Sequence, residues 1–167
     1  MKLKRLTELA LLTAVALIIF IIELRFPNII PVQGVKLGLA NIVTVYCVFQ
    51  YTPSETAMLV VCRVILGAMF SGNWPALIYS ASGAFLCLMG MLLLKKFLSL
   101  DYMWLDSIIG AMLHNLGQVL AQMAVMQSTA VISYLPVLMV SGTIAGLFTG
   151  LSAQLLLKRL KNSSIIK

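Results

Sequence analysis

The sequence predicts an all-α, polytopic membrane protein with six transmembrane helices, and three observations lead to this fold class. Hydrophobic residues make up 61% of the 167 residues and charged residues only 10%, whereas a soluble domain is about 45–50% apolar and about 25% charged. The mean hydropathy is +1.04. Apolar runs near the length of a membrane span, about 20 residues, alternate with short segments that carry proline, glycine or charge.

Six segments have this length or come close to it. The predicted helices cover residues 6–22, 37–51, 54–69, 76–97, 107–126 and 136–160. The first follows MKLKR as a signal peptide would, but its apolar run is too long and lacks a small-residue cleavage site, so we expect it to be retained. No internal repeat or soluble domain is evident, and residues 1–167 are expected to form one transmembrane domain.

The distribution of the net charge of +7 predicts the orientation. Six spans place both termini on one side, and the positive-inside rule makes the side with most basic residues cytoplasmic. The clustered basic residues on that side are Lys2, Lys4, Arg5, Lys95, Lys96, Lys158, Arg159, Lys161 and Lys167. They flank apolar spans and are not interleaved with aromatic residues, so nucleic-acid binding is not expected.

The candidate site starts from the stretch IGAMLHNLGQ in helix five, which places His114, Asn115 and Gln118 inside an apolar run. Residues 114 and 118 are four apart and share one helical face. Polar side chains at membrane depth usually face a bundle interior or a water-filled cavity. We therefore treat these three residues as candidate ligand contacts.

Three more polar residues fall at a similar depth or above it. Arg63 lies near the middle of helix three, Asn41 about one turn into helix two, and Lys36 at the mouth of helix two. The cytoplasmic halves of the helices look nearly pure hydrocarbon, so an outward-facing polar bowl is expected. It should favour an anion, because the arginine fork matches carboxylate and phosphate groups.

Each candidate also has a purely structural interpretation. Arg63 could bond helix-end carbonyls or a neighbouring amide, and Lys36 could be an interface anchor. His114, Asn41 and Gln118 could form hydrogen bonds between helices. The loop 26–35 could be a lid over the bowl or an inert connector.

Small residues four apart form two patterns, Ala10-x-x-x-Ala14 in helix one and Gly142-x-x-x-Gly146-x-x-x-Gly150 in helix six. Such spacing lets helix backbones approach closely, within the fold or against a partner. We interpret the glycines as internal packing.

The chain lacks the motifs of an enzyme acting alone. No G-x-x-x-x-G-K-[ST] loop is present for ATP hydrolysis, and no acidic cluster could hold Mg²⁺ on a diphosphate, since Asp101 and Asp106 fall in the connector 98–106. The three lone cysteines have no metal-ligand spacing. We predict no catalytic residue, no metal and no cofactor.

Four stretches in order resemble the Gx transporter family, also labelled heptaprenyl diphosphate synthase component I. They are GVKLGLANIVTVY (34–46), CRVILGAMFSG (62–72), GAMLHNLGQVLAQ (110–122) and YLPVLMVSGTIAGLFTGL (134–151). The family is similar to the substrate-binding S components of energy-coupling factor (ECF) transporters. This resemblance implies a six-helix S-component-like bundle with an outward-facing pocket capped by the first loop.

The resemblance also implies partners. In an S component, Ala10 and Ala14 would dock on a transmembrane coupling subunit driven by two ATPases. The predicted function is therefore a subunit in the bacterial plasma membrane that binds a small, anionic or amphipathic, vitamin- or cofactor-like substrate for an ECF importer. Lys36, Asn41, Arg63, His114, Asn115 and Gln118 would bind it. The alternatives are a non-catalytic membrane component for heptaprenyl diphosphate or quinone synthesis, partnered by a soluble prenyltransferase, and a structural or redox-assembly subunit without a ligand.

Overall fold

The computed structural model describes residues 3–25 and 38–162, and this part of the chain consists of helices joined by short turns, with no strand. Its six α-helices are α1 (Leu3–Arg25), α2 (Asn41–Gln50), α3 (Pro53–Ser71), α4 (Pro75–Leu94), α5 (Met103–Met126) and α6 (Leu135–Asn162). Two 3-10 helices, Leu100–Tyr102 and Thr129–Tyr134, lead directly into α5 and α6. The predicted all-α class is confirmed for the described residues.

Five of these helices, all except α2, are long and apolar enough to cross a membrane. α2 has 10 residues, which is about 15 Å of helix against a hydrocarbon core of about 30 Å. The prediction of a helix from residue 37 was wrong at its start. Gly38 has a φ of +67°, a backbone conformation that is incompatible with an α-helix. α2 begins only after a turn in which the backbone N–H of Asn41 donates to the Gly38 carbonyl.

Contacts between helix ends fix the direction of the first four helices. Arg5 of α1 forms a 3.3 Å ion pair with Glu55 in the first turn of α3. The Tyr51 hydroxyl, just after α2, donates to Glu8, and Lys95, just after α4, donates to the Val48 carbonyl of α2. The start of α1, the end of α2, the start of α3 and the end of α4 therefore lie together.

The last two helices join the same end. Lys158 of α6 pairs with Asp101, just before α5, at 2.7 Å, and the Gln154 side-chain amide donates to the Asp101 carbonyl. The six helices thus alternate in direction. We call this side of the bundle the basic end, because the described residues of the three basic clusters lie there.

Glycines bring α5 into backbone contact with both neighbours. A Cβ on Gly146 would lie 2.7 Å from the Ile108 Cα, and one on Gly150 would lie 2.6 Å from the Trp104 Cα. Across α4, a Cβ on Gly117 would lie 2.9 Å from the Gly83 Cα. The interpretation of the α6 glycines as internal packing is confirmed.

The half of the bundle at the basic end is more polar than predicted. α5 begins four residues earlier than expected, because the 3-10 helix at Leu100–Tyr102 turns the chain straight into it. Asp106 therefore lies inside α5 and is completely buried, not in a connector. Glu55, Ser107 and Thr149 are buried there too, so the expectation of a nearly pure hydrocarbon half was wrong.

Candidate functional site

A cavity of about 440 Å³ lies in the half of the bundle away from the basic end. All six α-helices border it, and its size is within the range of small-molecule sites, about 300–1,000 Å³. The polar residues that line it are Glu23, Asn41, Arg63, Ser71, Asn73, Ser80, His114, Asn115, Gln118 and Ser141. We call this cavity the polar pocket.

Five of the six residues predicted from the sequence as ligand contacts line the polar pocket together: Asn41, Arg63, His114, Asn115 and Gln118. They come from three different helices. The sixth, Lys36, lies outside the described residues, as does the loop 26–35 for which a lid was predicted.

Arg63 connects two walls of the pocket. Its Nη1 donates to Asn41 Oδ1 at 2.9 Å, which ties the middle of α3 to the first residue of α2. A guanidinium carries five N–H donors, and this is the one hydrogen bond that Arg63 makes to the described residues. Arg63 thus makes the bond to a neighbouring amide that its structural interpretation predicted, and it also lines the polar pocket.

Asn115 connects α5 to α6. Its Nδ2 donates at 2.5 Å to the Leu138 carbonyl, which also accepts from Ser141 Oγ. Gly142 lies so close that a Cβ there would be 2.5 Å from Asn115 Nδ2. The absence of a side chain at residue 142 therefore makes room for the Asn115 amide.

His114 and Gln118 occupy the crossing of α5 with α4. A Cβ on Gly83 would lie 2.7 Å from the His114 carbonyl oxygen, 3.2 Å from its Cε1 and 2.8 Å from Gln118 Cγ. Next to this crossing, Ser82 Oγ donates to the Gly117 carbonyl at 2.9 Å. The absence of a side chain at Gly83 thus lets His114 and Gln118 pack closely against α4. A lone glycine in a helix suggests such a close approach but does not show which residues make it.

Glu23 was missed as a site residue. It is 8% exposed, it lines the polar pocket, and one of its carboxylate oxygens accepts from the N–H of Gly38, in the turn before α2. In the sequence it directly follows the first predicted span, where an acidic residue is expected to lie at the membrane–water interface. The available signal was its position, two residues before the end of a helix that continues to Arg25.

Glu23 and Arg63 are the charged residues among the described pocket residues, and no ion pair joins them. The ion pairs found in the described ranges are the two at the basic end. No group of three or more His, Cys, Asp or Glu in those ranges could hold a metal ion. The pocket therefore offers charges, donors and acceptors for non-covalent binding of a small molecule.

Membrane-length helices around a polar pocket define a polytopic helical membrane protein with a candidate small-molecule site. A family model described as heptaprenyl diphosphate synthase component I matches residues 12–156. The chain belongs to this family, and the family label predicted from the four motifs is confirmed. Component I is a non-catalytic subunit, so the chain is not an enzyme by itself. Searches of the curated proteins and of the solved structures found no match.

Proposed function

We propose that this protein is the membrane-embedded, S-component-like substrate-binding subunit of an ECF-type ATP-driven importer for a small vitamin- or cofactor-like compound. The observation that carries the proposal is the convergence of Asn41, Arg63, His114, Asn115 and Gln118 on one cavity. Polar side chains are costly to place at membrane depth, and a ligand that bonds to them accounts for their shared position.

The proposed topology has six crossings with both termini in the cytoplasm of a bacterium. The positive-inside rule makes the basic end cytoplasmic, so the polar pocket lies in the outer half. The sixth crossing includes α2. Gly38 bonds to Glu23 and Tyr51 bonds to Glu8. The segment from residue 38 to residue 51 therefore runs beside the stretch of α1 from Glu8 to Glu23, which is about 22 Å long.

Arg63 is proposed to hold an acidic group of the ligand, because its remaining N–H donors match the geometry of a carboxylate. The N-terminus of α2 borders the pocket at Ala40 and Asn41, and its partial positive charge has the same preference. His114, Asn115 and Gln118 would then orient the rest of the ligand through hydrogen bonds. Lys36 is included as a further contact at the mouth.

Partners must supply the energy in this proposal, because the sequence contains no ATP-binding motif. Ala10 and Ala14 are both exposed on α1, in its half nearer the basic end. Small exposed residues four apart permit close helix packing. We propose this surface as the docking site for a transmembrane coupling subunit that carries two ATPases.

The family description supports a second candidate function, a non-catalytic membrane component of heptaprenyl diphosphate synthase. In that case a soluble prenyltransferase would be the partner. The polar pocket would then have no transported ligand.

The test is to purify the protein from membranes and identify retained small molecules by mass spectrometry. We expect one compound near stoichiometric occupancy in the wild type, and at least about tenfold less, or about 1.4 kcal/mol, in Arg63→Gln and His114→Ala. Arg159→Gln is the control, because Arg159 is exposed at the basic end. An empty pocket together with a co-purified soluble prenyltransferase would favour the second candidate.

The docking surface has its own test. Ala14→Trp should abolish co-purification with a coupling subunit and leave ligand retention unchanged, because the side chain lies outside the pocket. Ala81→Trp, at an exposed position on α4, is the matched control and should retain both. Loss of association in both variants would show a general effect of bulk and would argue against the proposed surface.

A further inference from the structure

We infer that the polar pocket selects a zwitterion, a ligand with a carboxylate for Arg63 and an ammonium group for Glu23, and not a simple anion. This inference rests on the proposed function, since it requires that the pocket binds a small molecule. It changes the expected substrate class from an acid to an amino-acid-like compound.

The first observation is that the described part of the pocket wall carries one charge of each sign. Glu23 comes from α1 and Arg63 from α3, two helices that pack against each other, and both residues line the same cavity. Their formal charges cancel. A pocket built for an anion alone would not place a buried carboxylate beside its arginine.

The second observation is that both groups have bonding capacity left. Glu23 accepts from the Gly38 N–H, and Arg63 donates to Asn41. Neither residue makes another hydrogen bond to the described part of the chain, and no ion pair forms between them there. Both charged groups therefore border the cavity with acceptor and donor positions that no described residue uses. They keep these positions although an ion pair between Arg63 and Glu23 would satisfy both charges.

Electrostatics then determines the preferred ligand. A carboxylic acid would pair with Arg63 but would bring a second negative charge next to the buried Glu23. An amine would pair with Glu23 but would bring a second positive charge next to Arg63. Charged groups are costly to bury without a partner. A ligand with both charges pairs with both Glu23 and Arg63. A ligand with one charge is repelled by whichever of the two carries the same sign, and this repulsion makes the pocket selective for the zwitterion.

Matched compounds on one skeleton test this inference. The probes are the standard L-amino acids, the amines that lack the carboxylate, and the acids that lack the amino group, measured by thermal stabilisation and competition on protein purified in detergent. We expect at least one amino acid to bind about tenfold more tightly than both of its relatives, as for a site whose polar groups would otherwise be left unpaired.

The variants give the sharper result. Glu23→Gln keeps an oxygen that can accept from Gly38, so the fold is preserved while the charge is removed. It should bring the acid to within about threefold of the amino acid, and Arg63→Gln should do the same for the amine. Asp101→Asn removes an exposed carboxylate at the basic end and should leave the wild-type preference intact.

The remaining outcomes distinguish the two proposals. Equal binding of acid and amino acid in the wild type, unchanged by Glu23→Gln, overturns the zwitterion inference and leaves the proposed function standing. A retained ligand that lacks either a carboxylate or an ammonium group, with no binding by any probe, also overturns it. If no probe binds and no ligand is retained after purification, the proposed function fails and the inference fails with it.

Discussion

The two halves of the bundle both bury polar residues, but they use them differently. At the basic end the polar groups bond to each other. The Glu55 carboxylate accepts from the Thr52 N–H and pairs with Arg5, and Ser107 shares a 3.0 Å hydrogen bond with Thr149. In the opposite half, polar side chains from all six helices surround a cavity.

The contrast shows what marks a site in a membrane bundle. A buried polar residue by itself does not, because the basic end has several and is closely packed. The mark is a set of polar groups with bonding capacity left beside unfilled space. Asp106 is an exception in the packed half, since neither of its carboxylate oxygens has a hydrogen-bond partner in the described ranges, and Gln154 Oε1 is another buried atom without one.

The largest expected loss of stability comes from one of two glycines of α6 that are four residues apart, and comparing the two glycines distinguishes the two halves of the bundle. Gly146→Ala should destabilise the protein by about 1–3 kcal/mol, because its Cβ would meet backbone atoms, the Ile108 Cα and, at 2.9 Å, the Ser107 carbonyl oxygen. Gly142→Ala meets the end of the Asn115 side chain instead, so it should reduce ligand retention more than stability. Thermal unfolding and ligand retention measure the two effects, and identical profiles for both variants would remove the distinction.

A loss of comparable size is expected from Thr149→Val in the packed half. The substitution keeps the shape but removes the partner of the buried Ser107 hydroxyl, and an unsatisfied buried hydroxyl costs about 1–3 kcal/mol. Ser107→Ala combined with Thr149→Val should recover much of the stability, because no unpaired group then remains. A double variant no more stable than Thr149→Val would show that the hydroxyl pair is not what matters here.

Asp106→Asn should change stability in the opposite direction. Removing the charge of a buried carboxylate without a hydrogen bond should raise the free energy of unfolding by about 1 kcal/mol. The measurement is thermal unfolding beside Asp101→Asn, an exposed control at the same end. A loss of stability would contradict this expectation and would show that the surrounding residues stabilise the Asp106 carboxylate.

The smallest effect is expected for Arg5→Gln. The Arg5 side chain is 51% exposed in its ion pair with Glu55, and pairs of this kind contribute about 0–1 kcal/mol. Glu55 also keeps its bonds to Thr52. A loss as large as that of Gly146→Ala would mean that the basic end depends on its ion pairs more than on close packing.

Much of the fold could be read from hydropathy. Four of the six predicted helices agree with the structure to within three residues at both ends, and α5 ends where expected. The errors fall where a local turn decides the boundary. Gly38 delays α2, and the 3-10 helix before α5 moves Asp106 from a connector into the core.

The sequence by itself determined the class of protein, the order of its helices and five members of the polar pocket. It could do so because the cost of exposing polar groups to lipid leaves a visible pattern in an apolar chain. Only the tertiary structure decided which polar groups bond to each other and which border open space. That outcome depends on how closely the helices approach at Gly83, Gly142 and Gly146. The tertiary structure also placed Glu23 in the lining of the same cavity as Arg63.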